Sequence, residues 1–192
     1  MQLTFIILYI STIAWIFPIF RQFRTNLFYF FLVLGLSDPV STFAIKVLSL
    51  RPENIQIIIS PILFWALSID RKKKFTINKL EIFVFILTYV LYFLIDNYNI
   101  TLLIVYVAIT IRSIFIVIIE LHIKHLINFV HVVLAFYMIS SVVSLLIYLN
   151  GDHQAIVLFY INLAFQTLIA VFFSIFKEDN PKLTIKVMSQ DD

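Results

Sequence analysis

Seven long apolar runs follow one another along the chain, and each is too long and too evenly apolar to lie on a water-facing surface. They are Leu3–Phe20, Leu27–Leu50, Asn54–Ile69, Leu80–Ile95, Ile100–Ile119, Leu126–Leu149 and Ala155–Phe176. About 20 mainly apolar residues carry a helix across the hydrocarbon core of a bilayer, with about 17–25 the usual range. The runs are apolar on nearly all sides and lack the polar–apolar alternation of a transmembrane strand. An all-α bundle of seven transmembrane helices is therefore expected. Phe83–Ile119 is too long for one span, so the polar turn Asp96-Asn97-Tyr98-Asn99 is read as dividing two. The whole composition agrees. Hydrophobic residues make up 62% and charged residues 13% of the 192 residues, against about 45–50% and about 25% in ordinary globular chains. Mean hydropathy is +1.03. Lipid must be the main solvent, which excludes a cytosolic enzyme and a nucleic-acid-binding domain. With no cysteine, disulfides, thiolate metal sites and cysteine nucleophiles are excluded as well.

The charges set the expected orientation. Arg21 and Arg24 lie in the first connection, Arg71, Lys72, Lys73, Lys74 and Lys79 in the third, and Lys124 in the fifth. The even connections carry Arg51 against Glu53, then Asp96, then Asp152. The positive-inside rule places the odd connections in the cytoplasm. The amino end is then outside, and residues 177–192 form a short cytoplasmic tail. The first run lacks a basic region before it and a small-residue cleavage pattern, so it reads as a retained span. An integral protein of the inner or plasma membrane is expected. The Arg71–Lys74 run would attract anionic lipid headgroups at about 1 kcal/mol per charge.

Ionisable groups inside the hydrocarbon are costly, about 2.5–3.5 kcal/mol on insertion scales, so they are the informative positions. Asp38 lies roughly 16 Å into the second run at 1.5 Å per residue, and Arg112 lies at a comparable depth in the fifth. Two readings stand. The two form a static ion pair that fixes helix register, or they build a midplane site for a ligand or ion. Gly35-Leu36-Ser37-Asp38-Pro39 suggests a kink or break beside Asp38, because Pro39 lacks an N–H and clashes with the carbonyl four residues back. Asn162, Gln166, Ala170 and Ser174 recur every four residues and share one helical stripe. Tyr137, Ser140, Ser141, Ser144 and Tyr148 do the same in the sixth run. Such stripes serve as helix–helix seams or as ligand-lining faces. The midplane site is assigned to Asp38, Arg112, Asn162, Gln166 and Ser140, with Gly35 and Pro39 as the helix break.

Glu120, His122, His125 and His131 cluster near the fifth connection. They could hold a divalent metal, give a pH-responsive rim, or be solvated interfacial residues. The spacing matches no zinc signature, so no metal is assigned, and Glu120, His122 and His125 are only weak candidates. No cofactor is expected.

Asn26-Leu27-Phe28-Tyr29 aligns with Asn128-Phe129-Val130-His131, which pairs runs 1–3 with runs 5–7 around a connecting fourth. This three-one-three arrangement resembles the architecture of the PQ-loop and SWEET sugar transporters. Their proline–glutamine pair is expected near the ends of helices 1 and 5. Here run 1 reads Pro18-Ile19-Phe20-Arg21-Gln22 and run 5 has no proline, so no site is carried over. A retinal protein is excluded because the seventh run has no lysine. Three functional readings follow. The first is a non-enzymatic membrane module, a sensor or accessory subunit acting through another membrane or cytoplasmic protein. The second is a small transporter of a solute or ion using the Asp38/Arg112 site. The third is an intramembrane enzyme acting on lipid.

Overall fold

The computed structural model describes residues 2–69, 77–150 and 155–186. Each apolar run forms one α-helix, and the chain is all-helical apart from one short strand pair. The helices are α1 (Gln2–Arg21), α2 (Phe28–Leu48), α3 (Pro52–Ser68), α4 (Lys79–Leu94), α5 (Tyr98–Lys124), α6 (Phe129–Asn150) and α7 (Ala155–Ile175). Among the described residues, four segments are long and apolar enough to cross a membrane: Phe28–Leu48, Tyr98–Ile123, Phe129–Leu149 and Val157–Ile175. Outward faces carry exposed apolar side chains such as Phe20, Phe93, Ile111, Phe136 and Leu168, while many serines and threonines are buried. That inversion suits lipid rather than water as the surrounding phase. The basic run Arg71–Lys74 lies outside the described residues.

Local chemistry explains the helix ends. Pro52 opens α3 at a position where its missing N–H is not needed. Asn78 and Glu81 form a reciprocal capping box that starts α4. The Asp96–Asn99 turn divides α4 from α5 as expected, and the Asn97 Oδ1 accepts the Asn99 N–H at 3.1 Å. His125 closes α5 in the left-handed region at φ 49°, its N–H bonding the Glu120 carbonyl.

Packing arranges α1, α2, α3, α5, α6 and α7 in succession around a ring, which α1 and α7 close. Helix α4 lies outside the ring against α3 and α5. Thus α1–α2–α3 and α5–α6–α7 succeed one another in the same sense, with α4 as the connector. The apolar core is lopsided. Phe30 and Phe31 at the start of α2, Val130 and Leu134 at the start of α6, and Phe173 near the end of α7 are all buried. These positions lie at the end that also bears the tail, hereafter the tail end. The far end, where α3 and α5 begin and α6 finishes, has much less of this filling.

Two expectations change. The sixth helix starts at Phe129 rather than Leu126. Residues Leu126–Asn128 form β1, which pairs antiparallel with β2 (Thr184–Lys186) in the tail, Ile127 opposite Ile185. The Asn128 Oδ1 accepts the Val130 N–H at 3.0 Å, a side-chain turn that starts the helix there. Second, α2 is not broken at Gly35–Pro39 but runs as one helix with Pro39 inside it. The carbonyl deprived of a donor by Pro39 is that of Gly35. Gly35 itself serves a close approach: a Cβ there would lie 2.5 Å from the Trp15 carbonyl oxygen and 2.8 Å from Ile19 Cδ1.

Candidate functional site

A polar cleft enters the bundle from the far end. Its outer part, a cavity of about 470 Å³, lies between Pro52, Tyr98, Tyr148 and Phe159 at the mouth and Gln56, Tyr106, Tyr137, Ser141 and Gln166 within. Its inner part, about 170 Å³, reaches Ser11, Trp15, Ser37 and Asp38 and shares Gln56, Tyr106, Tyr137 and Gln166 with the outer part. All six ring helices contribute polar groups to these walls: Ser11 from α1, Asp38 from α2, Gln56 from α3, Tyr106 from α5, Ser141 from α6 and Gln166 from α7.

The α6 and α7 stripes meet as a seam. Asn162 Nδ2 donates to the Ser140 carbonyl at 3.2 Å and to Ser144 Oγ. Gln166 Nε2 donates to Ser140 Oγ at 3.2 Å and to Ser141 Oγ at 3.4 Å. The serines turn their own protons back on the Tyr137 carbonyl. Asn162 and Ser140 thus act between helices, whereas Gln166 belongs to the seam and to the cleft wall alike.

Asp38 reaches the inner cleft, where its Oδ2 accepts from Thr12 Oγ1 at 2.9 Å. Arg112 is not brought to it. The two form no ion pair, and the buried Nε of Arg112 has no hydrogen-bond partner. Equal depth does not make two residues neighbours: α2 and α5 are separated around the ring by α3. Arg112 also lines neither part of the cleft.

A second polar cluster closes the tail end. His131, buried at the start of α6, stands between two carboxylates. Its Nδ1 lies 2.6 Å from Glu120 Oε2 and its Nε2 3.2 Å from Glu178 Oε1. Carboxylates accept only, so both bonds form together when both ring nitrogens carry protons. Glu178 Oε2 also accepts the Leu27 N–H at 2.9 Å, and its backbone N–H donates to Gln22 Oε1 at 3.0 Å. Gln22, fully buried, donates through Nε2 to the carbonyls of Phe173 at 3.1 Å and Phe176 at 2.7 Å. Burial pushes the Glu178 carboxyl up, but hydrogen bonds from His131, the Leu27 N–H and Thr25, with the positive charge on His131, hold it below its usual range. The α1–α2 connection, the ends of α5 and α7, the start of α6 and the tail are thereby tied together. A neighbouring cavity of about 330 Å³ is walled by Arg24, Asn26, Asp179 and Thr184 besides this network.

Of the sequence candidates here, Glu120 joins the network, whereas His122 and His125 are exposed and stand outside it. Among the described residues, no three His, Cys, Asp or Glu side chains converge as metal ligands. Gln22 and Glu178 are absent from the sequence-based assignment. Glu178 meets His131 across 47 residues, the contacts between the 22–27 connection and residues 173–178 span 151 to 156, and neither residue sits in a motif. The cleft and the His131 network lie at opposite ends, so Asp38 and Glu120 do not share one reaction centre.

No protein-family model matches the chain, and neither do curated proteins or solved structures.

Proposed function

We propose that this is a seven-span integral membrane protein of the inner or plasma membrane that binds a small polar ligand in the cleft and passes its occupancy to a partner protein. It is a sensor or accessory subunit rather than an enzyme. In this reading the tail end faces the cytoplasm and the cleft opens outside, which the basic residues of the odd connections support. Helices α3 and α4 have 17 and 16 residues, about 24–26 Å at 1.5 Å per residue. Slight local thinning of the bilayer accommodates that length. The Arg71–Lys74 run sits at the inner face on anionic lipid.

The observation that carries the sensing role is the double engagement of α7. It lines the cleft through Gln166, and just beyond its end Glu178 enters the tail network. A ligand that shifts α7 would alter a cluster that also holds the α1–α2 and α5–α6 connections. Affinity purification from native membranes in mild detergent, with mass spectrometry of what is retained, tests this. A stoichiometric partner bearing a soluble domain is expected. Recovery of this chain alone, as monomer or homo-oligomer, would overturn the role.

Two features favour a second reading, a small transporter: Asp38 stands in the cleft without a countercharge among the described residues, and the two helix triplets succeed one another in the same sense. Proteoliposome uptake that depends on Asp38 would select this reading over the first.

A further inference from the structure

We infer that the inner cleft is a site for a compact organic ammonium ion; this rests on the proposed ligand-binding role of the cleft and names its ligand class. Three observations converge. First, Asp38 is the sole charged side chain among the described residues that line either part of the cleft. Its one hydrogen bond, from Thr12, satisfies a single lone pair and supplies no positive charge. A carboxylate in the membrane without a countercharge is costly, and a cationic ligand removes that cost. Second, the walls beside Asp38 are aromatic. Trp15, Tyr106 and Tyr137 line the inner part, and the Trp15 and Tyr137 rings pack on each other in a tilted contact, centroids 4.6 Å apart at 50°. Ring faces attract cations and do so most strongly where water is excluded. Third, the remaining lining discriminates among cations. Leu34, Ile59, Leu63 and Leu163 are apolar. Calcium requires about 6–8 oxygen ligands and magnesium a near-octahedral oxygen shell. One carboxylate, a few amides and hydroxyls, and hydrocarbon walls suit instead an ammonium that carries alkyl groups.

Size and route are consistent with this class. About 170 Å³ equals the liquid volume of about five or six waters, which limits the bound part to a small head. Among the described residues the outer part carries no charged side chain, and Tyr98, Tyr106 and Tyr148 flank the approach. A cation meets no repulsive group among them before Asp38.

The full chain in nanodiscs of neutral lipid would be titrated calorimetrically with choline and with its uncharged isostere, 3,3-dimethylbutan-1-ol. Choline is expected to bind at least about tenfold more tightly, and both Asp38→Asn and Trp15→Leu to weaken it by about tenfold or more. Equal binding of choline and the isostere, or choline binding indifferent to Asp38→Asn in a variant that remains monodisperse, overturns the ammonium assignment. So does sodium binding that saturates the site in place of choline. The chain has no cysteine, so Ser144→Cys is a unique thiol for testing the cleft itself. Labelling by a trimethylammonium thiosulfonate, faster than by a sulfonate analogue, is expected. Labelling without choline binding overturns the ligand class and leaves the cleft standing. Failure to label overturns both.

Discussion

Gly35→Ala adds one methyl group where α2 crosses α1. The new Cβ would meet the Trp15 carbonyl oxygen at 2.5 Å, about 0.9 Å short of ordinary contact at 3.4 Å. It would also meet Ile19 Cδ1 at 2.8 Å and Cγ1 at 3.1 Å. The isoleucine can change rotamer; the carbonyl belongs to a helix backbone and cannot. The helices must separate or tilt along a contact that carries the buried Trp15 and Phe31. Overpacking of this kind costs about 1–3 kcal/mol. Alanine's better helix propensity returns at most about 1 kcal/mol. A net loss of about 1–2 kcal/mol corresponds to a fall in Tm of about 2–8 °C at this chain length. Thermal unfolding in detergent, followed by tryptophan fluorescence, measures it. Adding Ile19→Ala should not restore the lost stability, because the carbonyl remains. An unchanged or raised Tm for Gly35→Ala, or full rescue by Ile19→Ala, would refute the close crossing.

The tail network gives a pH-dependent outcome. Because the folded Glu178 carboxyl sits below its ordinary value of 4.5, its contribution is complete above that value and is lost as pH falls through the folded value. Hydrogen exchange of residues 178–186 should therefore show protection at neutral pH that fades in acid below 4.5. Glu178→Gln should lose about 1–3 kcal/mol of protection at neutral pH and show a shallower acid dependence; equal acid profiles for the two proteins would argue against a role for the Glu178 carboxylate in holding the tail. Asp38→Asn and Arg112→Gln should change stability additively, within about 0.3–0.5 kcal/mol, since the two side chains do not meet. Coupling of about 1 kcal/mol or more would mean that they do.

The helices were legible because lipid-facing segments need continuous apolar length, and that property is local. The Asn162–Gln166 stripe was equally legible, since residues four apart share a face and amides avoid lipid. Its choice of α6 as partner was not. Asp38 and Arg112 show the limit of depth as a guide: the height of a residue along its helix is readable, but the direction of its side chain depends on ring order. Gln22 and Glu178 meet only through packing of α1 on α7, so no nearby residue signals them. The pairing of Leu126–Asn128 with Thr184–Lys186 was hidden because three apolar-leaning residues beside a long apolar run read as more helix. Gly35 was readable only as part of the Gly35–Pro39 break, whereas the neighbour that needs its missing side chain is α1, through the Trp15 carbonyl and Ile19.

Closure of the ring by α1 and α7 has a consequence for biogenesis. Arg21 bonds the Ile175 carbonyl across 154 residues. At about 5–20 residues per second of synthesis, α1 waits about 8–30 s for the helix it packs against. Through most of that interval Asp38 faces a bundle with a missing stave, and the α6 serines do so from the moment they are made. The nascent protein is thus an open, polar-sided intermediate until its last helix leaves the ribosome. Any truncation before α7 would leave Gln22 without the Phe173 and Phe176 carbonyls that it bonds, and Ser144 without Asn162.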